Sequence, residues 1–113
     1  MILSSSGNSL SDDLKHSLNP YLGNRKLTQN FISEIVGMSF RSIQRKLSIN
    51  GETYSDVLDQ LRFEKARDLL IEDDAKLLDI TFQLGYENSS TFSRAFRRWS
   101  GVTPREYRNL FRQ

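Results

Sequence analysis

Apolar residues recur at intervals of three and four along most of the 113-residue chain. Leu10, Leu14 and Leu18 form one stripe, and Phe31, Ile32 and Ile35 the next. Ile43 and Leu47 follow, then a long segment lined by Val57, Leu58, Leu61, Ala66, Leu69 and Leu70. Ile80 and Leu84 come next, then Phe92, Ala95, Phe96 and Trp99, and lastly Tyr107, Leu110 and Phe111. Residues spaced this way share one face of an α-helix, whereas no stretch alternates with period two for long enough to make a strand. The pattern predicts an all-α fold.

Polar punctuation cuts the pattern into seven helices. The first covers roughly residues 10–21, and Pro20 ends or kinks it, because proline lacks a backbone donor and crowds the preceding turn. Gly23-Asn24 forms a loop. Thr28 and Gly37 bound the second helix, and Ser39 and Asn50-Gly51 the third. Thr53, with Asp56 three residues on, opens a fourth helix that reaches about Ile71 before Glu72-Asp73-Asp74. The fifth runs from about Lys76 to Leu84 and stops at Gly85, and the sixth lies between Asn88 and Ser100-Gly101. Thr103-Pro104-Arg105-Glu106 opens the seventh with a capping box and proline at the first helical position.

Two of these helix pairs repeat. Ile35-Val36-Gly37 leads to Ser39, Ile43, Arg45, Leu47 and Gly51, while Gln83-Leu84-Gly85 leads to Asn88, Phe92, Arg94, Phe96 and Gly101. Ser39, Ile43, Arg45 and Leu47 each precede their counterparts by 49 residues, and Gly37 precedes Gly85 by 48, so the second turn is one residue longer. A short helix, a glycine turn and a second helix make a helix-turn-helix. The second helix buries one apolar face and leaves the other free to enter a DNA major groove. The expected organisation is therefore a flexible Ser/Gly/Asn-rich lead-in over 1–9, a first helix-turn-helix unit over 10–51, a linker helix over 52–74 and a second unit over 75–113. A helix of about 19 residues spans ~28 Å, close to the ~34 Å between successive major grooves on one DNA face. Helices 39–49 and 88–99 are thus expected in adjacent major grooves, reading unlike half-elements about 10 bp apart.

Charge sharpens this picture. The net charge is only +2, but it is blocked out along the chain. Residues 39–51 carry three bases and no acid, residues 52–74 eight acids and three bases, and residues 88–113 six arginines and one acid. A polyanion would engage the two basic blocks, and the acidic helix between them is expected to face away from it. With no cysteine and one histidine, His16, the chain offers no thiolate site, no disulfide and no metal-ligand cluster. No phosphate-binding glycine loop or carboxylate constellation suggests an enzyme, and no cofactor or catalytic residue is expected. No apolar run approaches the ~18 residues of a membrane span.

The motifs are specific enough to name a resemblance. Gly37-Met38-Ser39, Arg41, Ile43-Gln44-Arg45, Leu47, Gly51 and the Arg62, Ala66, Leu69-Leu70 pattern resemble the first half of an AraC/XylS DNA-binding domain. Ile80, Leu84-Gly85-Tyr86, the run from Phe92 to Trp99, Gly101, Thr103-Pro104 and Tyr107-Arg108 resemble its second half. The resemblance covers roughly residues 10–110. It implies a bacterial, cytoplasmic (nucleoid-associated) transcription regulator, an activator that contacts RNA polymerase. It also implies an effector-binding N-terminal domain that this chain does not contain. Carried over residue by residue, the base-facing positions fall on Arg41, Gln44 and Arg45, and on Ser89, Ser90, Ser93 and Arg94. Arginine can donate twice to guanine and glutamine can pair with adenine, whereas serine contacts are short and permissive. The first unit is therefore the expected base reader and the second the expected anchor. Phosphate contacts are expected from the helix starts at Ser39 and Asn88, and from Arg97, Arg98 and Arg105. Arg108 is either a further phosphate contact or, like Arg98, an ion-pair partner for the acidic helix. The family usually has alanine where Ser33 and Thr81 stand and a hydroxyl cap where Lys76 stands. The two hydroxyls then need a carbonyl one turn back, and the fifth helix lacks a side-chain cap.

Overall fold

A computed structural model describes residues 9–23, 27–72 and 74–112. Apart from Ser9, the expected lead-in lies outside these residues, as does Asn24 of the first loop. The described residues form seven α-helices and one 3-10 turn, with no strand among them. The helices are α1 (Leu10–Leu18), α2 (Gln29–Val36), α3 (Phe40–Ile49), α4 (Tyr54–Glu72), α5 (Leu77–Gln83), α6 (Ser89–Ser100) and α7 (Pro104–Phe111). The chain divides into two compact units, Met1–Leu61 and Arg62–Gln113, with the division inside α4.

In the first unit α1 packs on α2 and α3, and α2 packs on α3. Leu14, Leu18, Leu22, Ile32, Ile43, Leu47 and Val57 are essentially inaccessible to solvent. Their stripes are those of the sequence pattern, with one addition. Helix α1 ends at Leu18, and Pro20 sits inside a 3-10 turn over Asn19–Tyr21. Proline cannot supply the next helical hydrogen bond, so the chain tightens, and Leu22 donates to the Asn19 carbonyl at 3.4 Å. Leu22, four residues after Leu18, continues the stripe into the core past this turn. Helix α1 also begins with a capping box, for Ser9 accepts from the Asp12 N–H while Asp12 accepts from the Ser9 N–H. The Ser9-x-x-Asp12 spacing carries that signal in the sequence.

In the second unit α5 packs on α6, and α6 on α7. Ala66, Leu70, Ile80, Leu84, Phe92, Ala95 and Phe96 are buried. Phe96 is the hub of an aromatic cluster, with ring centroids 5.6 Å from Phe63, 5.9 Å from Phe92, 6.4 Å from Trp99 and 5.3 Å from Tyr107. Tilted and edge-on pairs such as these suit the ring quadrupoles. Trp99 and Tyr107, both half-buried, thus pack against the core rather than standing free on the surface.

Two arginines pin this unit. Arg62 donates from Nε to the Leu84 carbonyl at 3.1 Å and lays its guanidinium over Tyr86 at 5.1 Å. Arg108 donates from Nε to the Leu70 carbonyl at 3.0 Å, and from Nη2 to the carbonyls of Ala75 at 2.9 Å and Leu69 at 3.5 Å. The last carbonyls of a helix have no partner within it, and Arg108 supplies donors at the end of α4. Arg108 therefore has a structural role, holding these three carbonyls.

The two hydroxyls at the usual alanine positions are satisfied as expected. Ser33 donates to the Gln29 carbonyl and Thr81 to the Leu77 carbonyl, both at 2.8 Å. Thr81 is completely buried, so this bond removes the cost of an orphaned hydroxyl in the core.

Candidate nucleic-acid interface

The first candidate face is built by the turn between α2 and α3. Gly37 takes a left-handed conformation, φ 78°, and its N–H closes α2 onto the Ser33 carbonyl at 2.8 Å. A Cβ here would meet nothing within 4 Å, so glycine is required by the backbone angle and not by space. Two residues later Ser39 caps α3, accepting from the Ser42 N–H at 3.1 Å. Ile43 and Leu47 are fully buried, which turns Arg41, Gln44, Arg45 and Ser48 to the opposite, exposed side. These four residues are three, four and seven apart and share one face. Phe40 does not join them. It is half-buried, edge-on to Tyr54 with centroids 5.1 Å apart, so it closes the unit's core instead of facing solvent.

The second unit repeats the design with a longer turn. Gly85 has φ 90°, and the Tyr86 N–H reaches back to the Thr81 carbonyl at 3.1 Å. Asn88 then caps α6, its Oδ1 accepting from the Thr91 N–H at 2.8 Å and the Thr91 hydroxyl at 3.0 Å. Phe92, Ala95 and Phe96 are buried, and Ser90, Arg94, Arg97 and Arg98 are exposed. Ser93 is half-buried, and so is Ser89, which borders the buried face. Of the three serines, Ser90 is the most accessible.

Electrostatics favours an anion at both faces. Neither α3 nor α6 has an acid in its first turn, and the last turn of α6 carries Arg97 and Arg98. The positive end of each helix dipole is therefore not offset by carboxylate. In contrast α7 begins with Glu106, which accepts the Thr103 N–H at 2.8 Å while Thr103 accepts the Glu106 N–H at 3.1 Å. The Thr103 backbone hydrogen bond is the main cause holding the Glu106 carboxyl below its ordinary range, followed by the Thr103 side chain and by the charge of Arg97 on α6. Arg105 is exposed in the first turn of α7.

Within the first unit, then, Ser39, Arg41, Gln44 and Arg45 come together on one helix. Within the second, Asn88, Ser90, Ser93, Arg94, Arg97 and Arg98 lie along another, and Arg105 is on the next helix. His16 is exposed on α1. Among the described residues no helix is long and apolar enough to cross a membrane.

A helix-turn-helix domain family model matches residues 32–110, most of the described fold. The ornithine utilization regulator of Pseudomonas aeruginosa is 44% identical over 70 residues, covering 62% of this chain and 21% of the relative. The transcriptional activator CfaD of Escherichia coli is 31% identical over 88 residues, covering 78% of this chain and 33% of the relative. The chain thus spans between a fifth and a third of the curated relatives it matches. Among solved structures, an AraC-type regulator from Chromobacterium violaceum superposes with a TM-score of 0.73 at 25% identity, covering 94% of this chain and 98% of that one. The DNA-binding domain of AdpA, solved with a target DNA, superposes with a TM-score of 0.73 at 20% identity, covering 92% and 94%. By its repeat, its caps and the extent of the family match, the chain belongs to the AraC/XylS family of helix-turn-helix regulators.

Proposed function

We propose that the chain is the sequence-specific DNA-binding part of a transcription regulator, with α3 and α6 each entering a major groove of duplex DNA. The carrying observation is that the two equivalent helices bury one apolar face and expose an acid-free polar one. The AdpA domain, of the same fold, was solved on its target DNA. Arg41, Gln44 and Arg45 of α3 read base edges. Ser89, Ser90, Ser93 and Arg94 of α6 make shorter, more permissive contacts, with exposed Ser90 and Arg94 foremost. The starts of α3 and α6 at Ser39 and Asn88, together with Arg97, Arg98 and Arg105, hold phosphates.

The rest of the reading concerns the whole protein. CfaD is named an activator, and activation with contact to RNA polymerase is proposed for this chain too. An effector-binding domain would occupy the length of its relatives that this chain does not span. The proposed setting is the bacterial cytoplasm.

Selection of bound sites from random duplexes, followed by salt titration, tests the core of this reading. The expected site holds two unlike half-elements, with an affinity that falls steeply as salt rises. No binding to any duplex at low salt would refute it.

A further inference from the structure

We infer that Lys76 and Arg105 form a clamp for a single backbone phosphate of DNA, a contact that adds to those of α6. The inference rests on the DNA-binding reading above. Within the second unit a cleft of about 460 Å³ opens between the start of α5 and the first turns of α7, bordered by Lys76, Leu77, Arg105, Arg108 and Asn109. None of these lining residues is acidic. Nearby Asp74, two residues before Lys76, is paired with Arg112.

The frame of the cleft is held by Arg108. Its bonds to the carbonyls of Leu69, Leu70 and Ala75 tie α7 to the chain just ahead of Lys76. Lys76 follows Ala75 directly, and Arg105 lies three residues before Arg108 on α7. One tether therefore brings the backbones of both cations to one cleft. Lys76 stands at the N-cap of α5, but its side chain caps nothing there. Only its backbone serves the helix, through the Ile80 N–H bonded to the Lys76 carbonyl at 3.1 Å. Lys76 and Arg105 are both exposed, so their charges are available to a ligand.

A lysine and an arginine lining one cleft suit a compact oxyanion, one offering a point charge and the other a fork of donors. The phosphodiester backbone is that anion, because α7 packs on α6, whose exposed side carries Ser90, Arg94 and Arg97. Duplex DNA lying along α6 brings phosphates to the same basic unit. A phosphate contact carries no base information, so the clamp adds affinity without discrimination.

The test is fluorescence anisotropy of the full chain on its selected duplex and on a scrambled one, across a range of potassium chloride. Lys76→Gln and Arg105→Gln should each weaken binding about 5-fold on both duplexes and lower the log–log salt slope by less than the roughly 0.9 of a whole phosphate, which only the double variant loses. Lys76→Arg should restore both. The double variant should lose less than the product of the two single losses, as expected for two groups on one phosphate. Thermal unfolding should be unchanged for Lys76→Gln, whose backbone role is retained. Wild-type slope and affinity in Lys76→Gln would overturn the clamp while leaving the DNA-binding reading intact. Loss confined to the selected duplex would also overturn it, by making Lys76 a base reader. Binding of inorganic phosphate that Lys76→Gln abolishes, with duplex affinity unchanged, would assign the cleft to a free anion and overturn it. If wild-type chain binds no duplex, both readings fall together.

Discussion

Arg41, Gln44 and Arg45, the proposed base readers, stand within four residues of one another on the exposed side of α3, opposite buried Ile43 and Leu47. A bidentate base contact contributes about 1–3 kcal/mol of discrimination. Single alanine substitutions at these three positions are expected to reduce the preference for the selected site by that amount in competition binding. Ser90→Ala and Ser93→Ala on α6 are expected to reduce it less. Arg108 behaves differently, since its guanidinium holds three carbonyls. Arg108→Ala should lower unfolding stability by about 2 kcal/mol, within the usual worth of hydrogen bonds to a charged group. Arg108→Lys should not restore it, because a single ammonium cannot span the carbonyls that a planar fork reaches. The sequence distinguished these arginines only in part. Arg41 and Arg45 were legible from their position opposite the apolar stripe. A structural role for Arg108 was one of two alternatives, but its carbonyl contacts were not legible, because they lie 33 to 39 residues away and nothing in residue type marks a carbonyl that lacks a donor.

At the scale of elements, helix ends were the most legible feature. Thr28, Ser39, Thr53, Asn88 and Thr103 all cap as their spacing predicts. These are local interactions, complete within four residues, so no tertiary information is needed to find them. The cap of α7 has a consequence for pH. The Glu106 carboxyl is held below its ordinary value by Thr103 and Arg97, so its folded-state pKa lies below its unfolded one. The stabilisation is present above the unfolded value and is lost as pH falls through the lower folded value. Thermal unfolding followed from neutral pH into the acid range should show this loss, and Glu106→Gln should remove that part of the pH dependence. Thr103→Ala should cost about 1 kcal/mol at neutral pH, the usual worth of such a cap. The one helix end that the sequence placed poorly was that of α1. Pro20 marks a disturbance in the sequence, but only the fold shows that it takes the form of a 3-10 turn over Asn19–Tyr21.

At the scale of the molecule, each unit has its own core and its own candidate recognition helix. The second core depends on Phe96, which is inaccessible and meets four other rings. Phe96→Ala should destabilise the chain by about 3–5 kcal/mol, the range for truncating a buried aromatic. Trp99 is the only tryptophan and packs beside Phe96, so its fluorescence should report the transition directly. Denaturant titration of the variant against wild type checks the magnitude. The charge blocks also act at this scale, because the bases of α3 and α6 sit on exposed faces where a polyanion can engage them.

The sequence by itself determined the helices, their caps, the 49-residue repeat and the division of α3 and α6 into buried and exposed faces. All of these follow from neighbours within one or two helical turns, and a linear pattern records them directly. The tertiary structure decided what depends on distant neighbours. It drew Phe40 inward against Tyr54 and set Arg62 over Tyr86. It fixed Arg108 to the end of α4 and brought Lys76 and Arg105 to one cleft. In the sequence Lys76 is only a missing cap. Arg105 lies 29 residues further on, and only the fold gives the two residues a common cleft.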